Sequence, residues 1–181
     1  ELLKELIEIN FNEPAIFVHM SNIYLEEENV EEALRYLEEG RKIFRSDQGL
    51  LNAEINLYIK LGRTTELIDK FTEALVMDSN NALLLFNRAT IYDQDGDFLN
   101  AEKDYKASLD IDSDAFGANY NLGALYFNAA VEKQYGSSAA KSLFAKALPF
   151  LEKAHSLDPQ DRNTLLSLKQ LYYMNDNTEK E

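Results

Sequence analysis

The sequence predicts an all-α solenoid of antiparallel helix hairpins with a 34-residue period. Tyr24, Tyr58, Tyr92 and Tyr126 follow one another at intervals of 34 residues. Nine residues after the first three of them come Ala33 with Leu37, Leu67 with Phe71, and Ala101 with Tyr105. A spacing of four places both members of each pair on one helix stripe. Turn residues are scarce, with 7 Gly and 3 Pro among 181 residues, while hydrophobic residues make up 45%. There is enough apolar surface for a core and too few breakers for a sheet-rich chain.

The elements follow in order. Residues 1–13 read as the second helix of a truncated repeat, its stripe being Leu2, Leu3, Leu6 and Ile7. Whole repeats occupy 14–47, 48–81 and 82–115, with helix pairs expected over 14–45, 48–77 and 81–111. Pro14 suits the first turn of its helix, where its missing N–H has no intrahelical partner to lose. Gly62 and Gly96 stand at tight hairpin turns that need a left-handed residue. In the fourth repeat, 116–161, the matching pair is Ala147 and Leu151, and Tyr172 lies 46 residues after Tyr126, which is 34 plus 12. The repeat therefore carries a 12-residue insertion within a helix pair over 115–157. Phe127–Tyr135 and Ser138–Leu148 have helical composition, and Gly136 with the N-cap candidate Ser137 separates them. Six residues added to each helix lengthen it by ~9 Å. Ala129, Ala130, Val131, Ala139, Ala140, Leu143 and Phe144 are expected to seal that extension, and Pro149 to bend its second helix. Residues 162–181 read as a first helix, over 161–174, and a frayed polar tail from Asn175. Leu165, Leu168, Leu171 and Tyr172 stripe this helix with no partner after it. Solenoid ends need polar caps, so the parent chain is expected to continue, or the terminal helices to pair with another copy.

Leu122, Gly123 and Tyr126, followed by Ala147, Leu151, Ala154 and Pro159, carry a pattern that resembles the tetratricopeptide repeat family. Ser21, Ile55 and Ala89 stand where that family prefers Gly, and Arg45, Ser79 and Ser113 where it prefers Pro. The resemblance implies a right-handed superhelix whose first helices line a concave groove for a peptide or protein segment. Counting along those helices turns Val18, Asn22 and Leu25 inward, then Asn52, Asn56 and Ile59, then Phe86, Thr90 and Asp93. Tyr120, Ala124, Phe127 and Asn128 follow, then Leu166, Gln170 and Tyr173, with Asn87 and Asn121 on the flanks. The basic clamp that some members use for a C-terminal carboxylate is missing, since Val18, Leu83 and Asn87 occupy its places and Arg88 is one position off. What remains is a row of amides beside aromatics. An amide offers both donor and acceptor, so the row reads either as a ladder for an extended main chain or as ordinary solvated positions. Asn119 to Ala130 also resembles repeat proteins of Gram-negative envelopes, so cytoplasm and bacterial envelope both stay open for a soluble protein.

Composition narrows the function classes. A formal net charge of -14 repels a phosphate backbone and an anionic membrane surface, and suits a basic partner. Absence of cysteine excludes disulfides, thiolate zinc sites and cysteine nucleophiles. No apolar run reaches membrane-spanning length. Only His19 and His155 titrate near neutrality, and no nucleophile–base set or phosphate loop accompanies them. No catalytic residue, cofactor or metal site is therefore expected. The string Asp93-Gln94-Asp95-Gly96-Asp97 puts Gly fourth, where a calcium loop needs it sixth, and Asp104 at the twelfth place that wants glutamate. Asp110, Asp112 and Asp114 have Ala115 in the glycine place. Glu26, Glu27, Glu28, Glu31, Glu32, Glu38 and Glu39 make one edge acidic, most simply a solvated face. The expected function is a protein-interaction scaffold. The alternative is a structural segment or accessory domain of a longer multi-repeat protein, or a self-associating array.

Overall fold

The computed structural model describes residues 13–45, 47–134 and 136–178. The helix expected near the N-terminus, with Leu2, Leu3, Leu6 and Ile7, lies outside the described residues, as does Tyr135. The described residues are helical: α1 Pro14–Glu26, α2 Val30–Ile43, α3 Gln48–Leu61, α4 Thr64–Met77, α5 Ala82–Gln94, α6 Phe98–Ile111, α7 Phe116–Val131, α8 Ser138–Leu157 and α9 Arg162–Thr178. The first helices α1, α3, α5 and α7 start at residues 14, 48, 82 and 116, each 34 after the last. Short polar side chains start many of them. Asn29, Asp47, Asn81, Asp97 and Ser137 each accept a backbone N–H three residues on, filling donors that a helix cannot satisfy itself. At α7 the cap is Ala115, and buried Asn119 instead donates to the carbonyls of Ser113 and Ala115.

The chain divides into two compact units, Glu1–Met77 and Asp78–Glu181. In the first, α1 packs on α2, α2 on α3 and α3 on α4, and the two first helices α1 and α3 also touch. In the second, each helix from α5 to α9 packs on the next, and α7 also touches the first helices α5 and α9 on either side of it. The stripe residues Ala33, Leu37, Leu67, Phe71, Ala101, Tyr105, Ala147 and Leu151 are all buried, as their spacing predicts. The four repeat tyrosines are not equivalent. Tyr58 and Tyr126 are buried, whereas Tyr24 and Tyr92 are half-buried. Tyr24 stacks on Tyr36 across its hairpin at 5.3 Å.

The insertion is divided differently from the expected six and six. α7 has 16 residues against 13 in α5, and α8 has 20 against 14 in α6. The connection grows from residues 95–97 to residues 132–137, which takes up the other three. The first helix thus gains about 4.5 Å and the second about 9 Å. Ala130, Ala140 and Phe144 are buried in the extension, but Val131 and Ala139 are exposed rather than sealing it. Beyond Ala130 the chain reads Val131, Glu132, Lys133 and Gln134, all exposed. With no further face to bury, α7 stops, because helices in proteins are held by packing more than by propensity. α8 runs on through Pro149. On α9, Leu168 and Leu171 are buried and Leu165 and Tyr172 exposed, so its apolar stripe is split between core and surface.

Turn geometry repeats with the period. Gly62 and Gly96 adopt φ of 65° and 79°, and the equivalent position in the first repeat, 34 residues before Gly62, is Glu28 with φ 59°. A left-handed backbone costs an L side chain ~1–2 kcal/mol, which glycine partly gives back in chain entropy. Glu28→Gly should therefore raise stability by ~0.5–1 kcal/mol, read as a higher urea midpoint at unchanged slope. A different demand acts on Gly123, where a Cβ would stand 2.7 Å from Leu151 Cγ and 3.2 Å from the Leu151 backbone nitrogen. The backbones of α7 and α8 approach there as closely as the repeat pattern requires. Overpacking costs ~1–3 kcal/mol and Ala recovers ~1 in helix propensity. Gly123→Ala should still destabilise, and a variant as stable as the native chain would show that α8 can move away freely.

One charged group lies at the bottom of the first unit. Glu54 of α3 is fully buried, with Lys70 Nζ 2.9 Å from Oε1 and Arg41 Nε 3.8 Å from Oε2. Glu73 bridges the same two cations, at 2.8 Å to Arg41 and 3.7 Å to Lys70. Arg41 also donates to the carbonyl of Arg45. Burial pushes the Glu54 carboxyl up, against the pull of Lys70 and Arg41. Burial likewise opposes the Lys70 ammonium, yet Glu54 and Glu73 hold it above its usual value.

Candidate functional site

The polar groups of the second unit converge on one hydroxyl. Tyr105 enters the core from α6 because Ala101, one turn earlier, lets that helix sit close to its neighbours, and both residues are fully buried. Its ring lies 6.0 Å from that of Phe86. Its hydroxyl emerges where α5 and α7 meet. There it accepts a hydrogen bond from Asn121 Nδ2 at 3.2 Å and shares its own proton between Thr90 Oγ1 at 3.3 Å and Asp93 Oδ2 at 3.4 Å. Thr90 in turn donates to the carbonyl of Phe86 at 3.0 Å. Burial raises the Tyr105 hydroxyl above its ordinary value. It also raises the Asp93 carboxyl, which the Tyr105 hydrogen bond only partly opposes. Arg88 of α5 grips buried Asp104 of α6 with two nitrogens, at 2.6 and 3.0 Å.

An apolar cavity of about 530 Å³ opens one helix further on. Phe127 and Val131 of α7 line it with Leu166, Gln170 and Tyr173 of α9, and Lys169 stands among them. Phe127 is braced from below by Phe144 of the longer α8, with ring centres 5.5 Å apart. A smaller hollow of about 320 Å³ lies beside Leu83, Phe86 and Gly117. A Cβ on Gly117 would come within 3.1 Å of the Phe86 ring, so that glycine makes room for the ring.

Residues 82–114 match the model of the tetratricopeptide repeat. The chain resembles that family by sequence over one repeat and by fold over most of its length. Its fold is that of solved tetratricopeptide proteins. A crystal structure of MamA aligns with a TM-score of 0.72 and 16% identity over 92% of this chain and 86% of that one. YrrB, described as a tetratricopeptide protein with an unusual peptide-binding site, aligns with a TM-score of 0.67 and 20% identity over 92% and 80%. The first such domain of Spaghetti, bound to an HSP90 peptide, aligns with a TM-score of 0.58 and 24% identity over 68% and 89%. Comparison with curated proteins gave no match by sequence.

The array distributes the expected groove residues unevenly. In the first unit, Asn22, Asn52 and Asn56 are exposed, and Val18 lines a hollow of about 490 Å³ with Pro14 and His19. In the second unit, Thr90 and Asn121 are joined through Tyr105, so these side chains are already engaged within the fold. Phe86, Asn87 and Tyr120 are half-buried, and Tyr120 stacks on Phe116 at 6.2 Å. Phe127, Gln170 and Tyr173 come together in the larger cavity. Tyr105 was legible only as a stripe residue. The available signal was chemical: Leu37, Phe71 and Leu151 hold the equivalent places without a hydroxyl, and a buried hydroxyl needs a partner. The acidic string after Tyr92 is a turn, with Asp97 capping α6 and binding Asn100. Among the described residues no three His, Asp or Glu side chains are grouped to hold a metal ion, and no helix is long and apolar enough to cross a membrane.

Proposed function

We propose that this tetratricopeptide array is a non-catalytic protein-interaction module, and that its second unit binds an extended peptide or protein segment across α5, α7 and α9. The carrying observation is the cavity of about 530 Å³ between Phe127 and Tyr173. It offers an apolar side chain a place to bury, one helix away from the polar groups around the Tyr105 hydroxyl. Small-molecule and side-chain sites commonly have this composition, mostly apolar with a few placed polar groups. The peptide-binding site described for YrrB and the peptide-bound domain of Spaghetti support the mode of use.

The test is selection of nonapeptides displayed on phage, followed by affinity measurement on variants. Phe127→Ala and Tyr173→Ala should each weaken the selected peptides about tenfold or more, the loss expected when a buried aromatic anchor is truncated. Lys60→Ala, an exposed change on α3, should leave binding unaltered. Peptides that bind all four proteins equally would place the site elsewhere. Leu165, Leu166, Tyr172 and Tyr173 exposed along α9 support a second reading, self-association through that helix. Sedimentation of the native chain against Leu165→Glu distinguishes it, since only a self-associating array becomes smaller.

A further inference from the structure

We propose that Asp93 is the receptor for a lysine or arginine side chain of the bound segment, an inference that rests on reading the second unit as a peptide-binding surface. Among the described residues, Asp93 is the one carboxylate withdrawn from solvent that neither pairs with a cation nor caps a helix. Asp104 is held by Arg88, Glu54 by Lys70, Glu102 by Lys106 and Glu66 by Arg63. Arg35 binds Glu32 and Glu39. Asp47, Asp97 and Asp161 accept the backbone N–H groups of Leu50, Asn100 and Thr164. Asp93 has the Tyr105 hydroxyl alone, at 3.4 Å, and that proton is shared with Thr90.

Its position makes the lack of a cation more costly. Asp93 stands in the last turn of α5, which holds no basic residue. The helix dipole places negative charge at that end, where a cation is favoured and an anion is not. Burial already raises the carboxyl, so an arriving ammonium or guanidinium gains from the carboxylate and from the helix terminus together. A net charge of -14 draws a basic segment toward the molecule from a distance. Geometry then fixes what else the segment carries. Asp93 and Phe127 are 34 residues apart, the same position on the neighbouring helices α5 and α7. Packed helices lie about 8–10 Å apart, which an extended chain covers in about three residues. The partner is thus expected to place a large apolar residue about three positions from the basic one.

The probes are acetylated, amidated nonapeptide pools with Lys, Arg, Glu or norleucine fixed at the centre and Leu or Phe three positions to either side. Fluorescence anisotropy on the native chain should show the Lys and Arg pools binding about tenfold more tightly than norleucine, a difference of ~1.4 kcal/mol. Asp93→Asn, which keeps the hydrogen bond to Tyr105, should erase that difference without shifting the thermal melt. Asp93→Arg should turn the preference toward the Glu pool. A native chain without basic preference, or an Asp93→Asn variant that retains it, overturns the assignment. If such pools still bind and still need Phe127 and Tyr173, the peptide-binding reading survives that failure. If no pool binds the native chain, both fall.

Discussion

Lys70→Met should lose about 3 kcal/mol of stability at pH 8, the low end of the ~3–5 kcal/mol seen when one member of a buried ion pair is removed. The loss comes from Glu54, not from Lys70 itself. Glu54 is fully enclosed, and without the ammonium at 2.9 Å its nearest cation is Arg41 Nε at 3.8 Å, which also serves Glu73. Burial already lifts the Glu54 carboxyl above its ordinary range, and the variant lifts it further. A carboxyl whose folded value exceeds its unfolded value holds more protons in the folded state between the two. Stability therefore falls as pH rises through that window and is regained as pH falls back through it. The deficit of Lys70→Met relative to the native chain should be large at pH 8 and shrink toward pH 5 in urea titrations. Glu54→Gln in the same background removes the stranded charge and should recover most of the loss at pH 8, a coupling that a double-mutant cycle measures. An equal deficit at both pH values would mean that Lys70 acts through its aliphatic stem alone.

Tyr105→Ala should cost ~3–5 kcal/mol, as truncation of a buried aromatic usually does, and Tyr105→Phe only ~1 kcal/mol, the net worth of a typical hydrogen bond. The two variants separate the ring from the hydroxyl. The ring is fully buried and packs against Phe86, so its loss opens a cavity under α5. The hydroxyl joins Asn121, Thr90 and Asp93, so its removal leaves the core filled but detaches three side chains of the candidate peptide surface from one another. Thermal melts should rank the native chain above Phe and Phe far above Ala. A Phe variant as unstable as Ala would place the main energy of Tyr105 in its polar contacts, against the packing argument.

Much of this molecule was open to reading along the chain. The 34-residue spacing of Tyr24, Tyr58, Tyr92 and Tyr126 foretold the starts of α1, α3, α5 and α7, because a hairpin of fixed length repeats both its buried stripe and its breakers. The Ala33–Leu37 type of pair foretold which face each second helix buries. The division of the insertion was less legible. Composition makes Phe127–Tyr135 a fair helix, but α7 ends at Val131, where the neighbouring surface ends. Likewise the amides at Asn52, Asn56 and Asn121 look alike in sequence. Only the third has a tyrosine hydroxyl beneath it.

By itself, then, the sequence determined the class, the period, the outer bounds of the regular helix pairs and the exclusion of cysteine chemistry. These depend on residue spacing within one or two helices, and spacing is what a sequence records. Tertiary structure alone decided which carboxylates have cations, which tyrosine reaches the surface polar cluster and where an apolar cavity opens. Such outcomes depend on distances of a few ångströms between side chains far apart in the chain, as with Glu54 and Lys70, or Tyr105 and Asn121. Asp93 shows the division most clearly. Its place on the first helix of a repeat was countable, but its lack of a cation appeared only once every other withdrawn carboxylate had been matched to its partner.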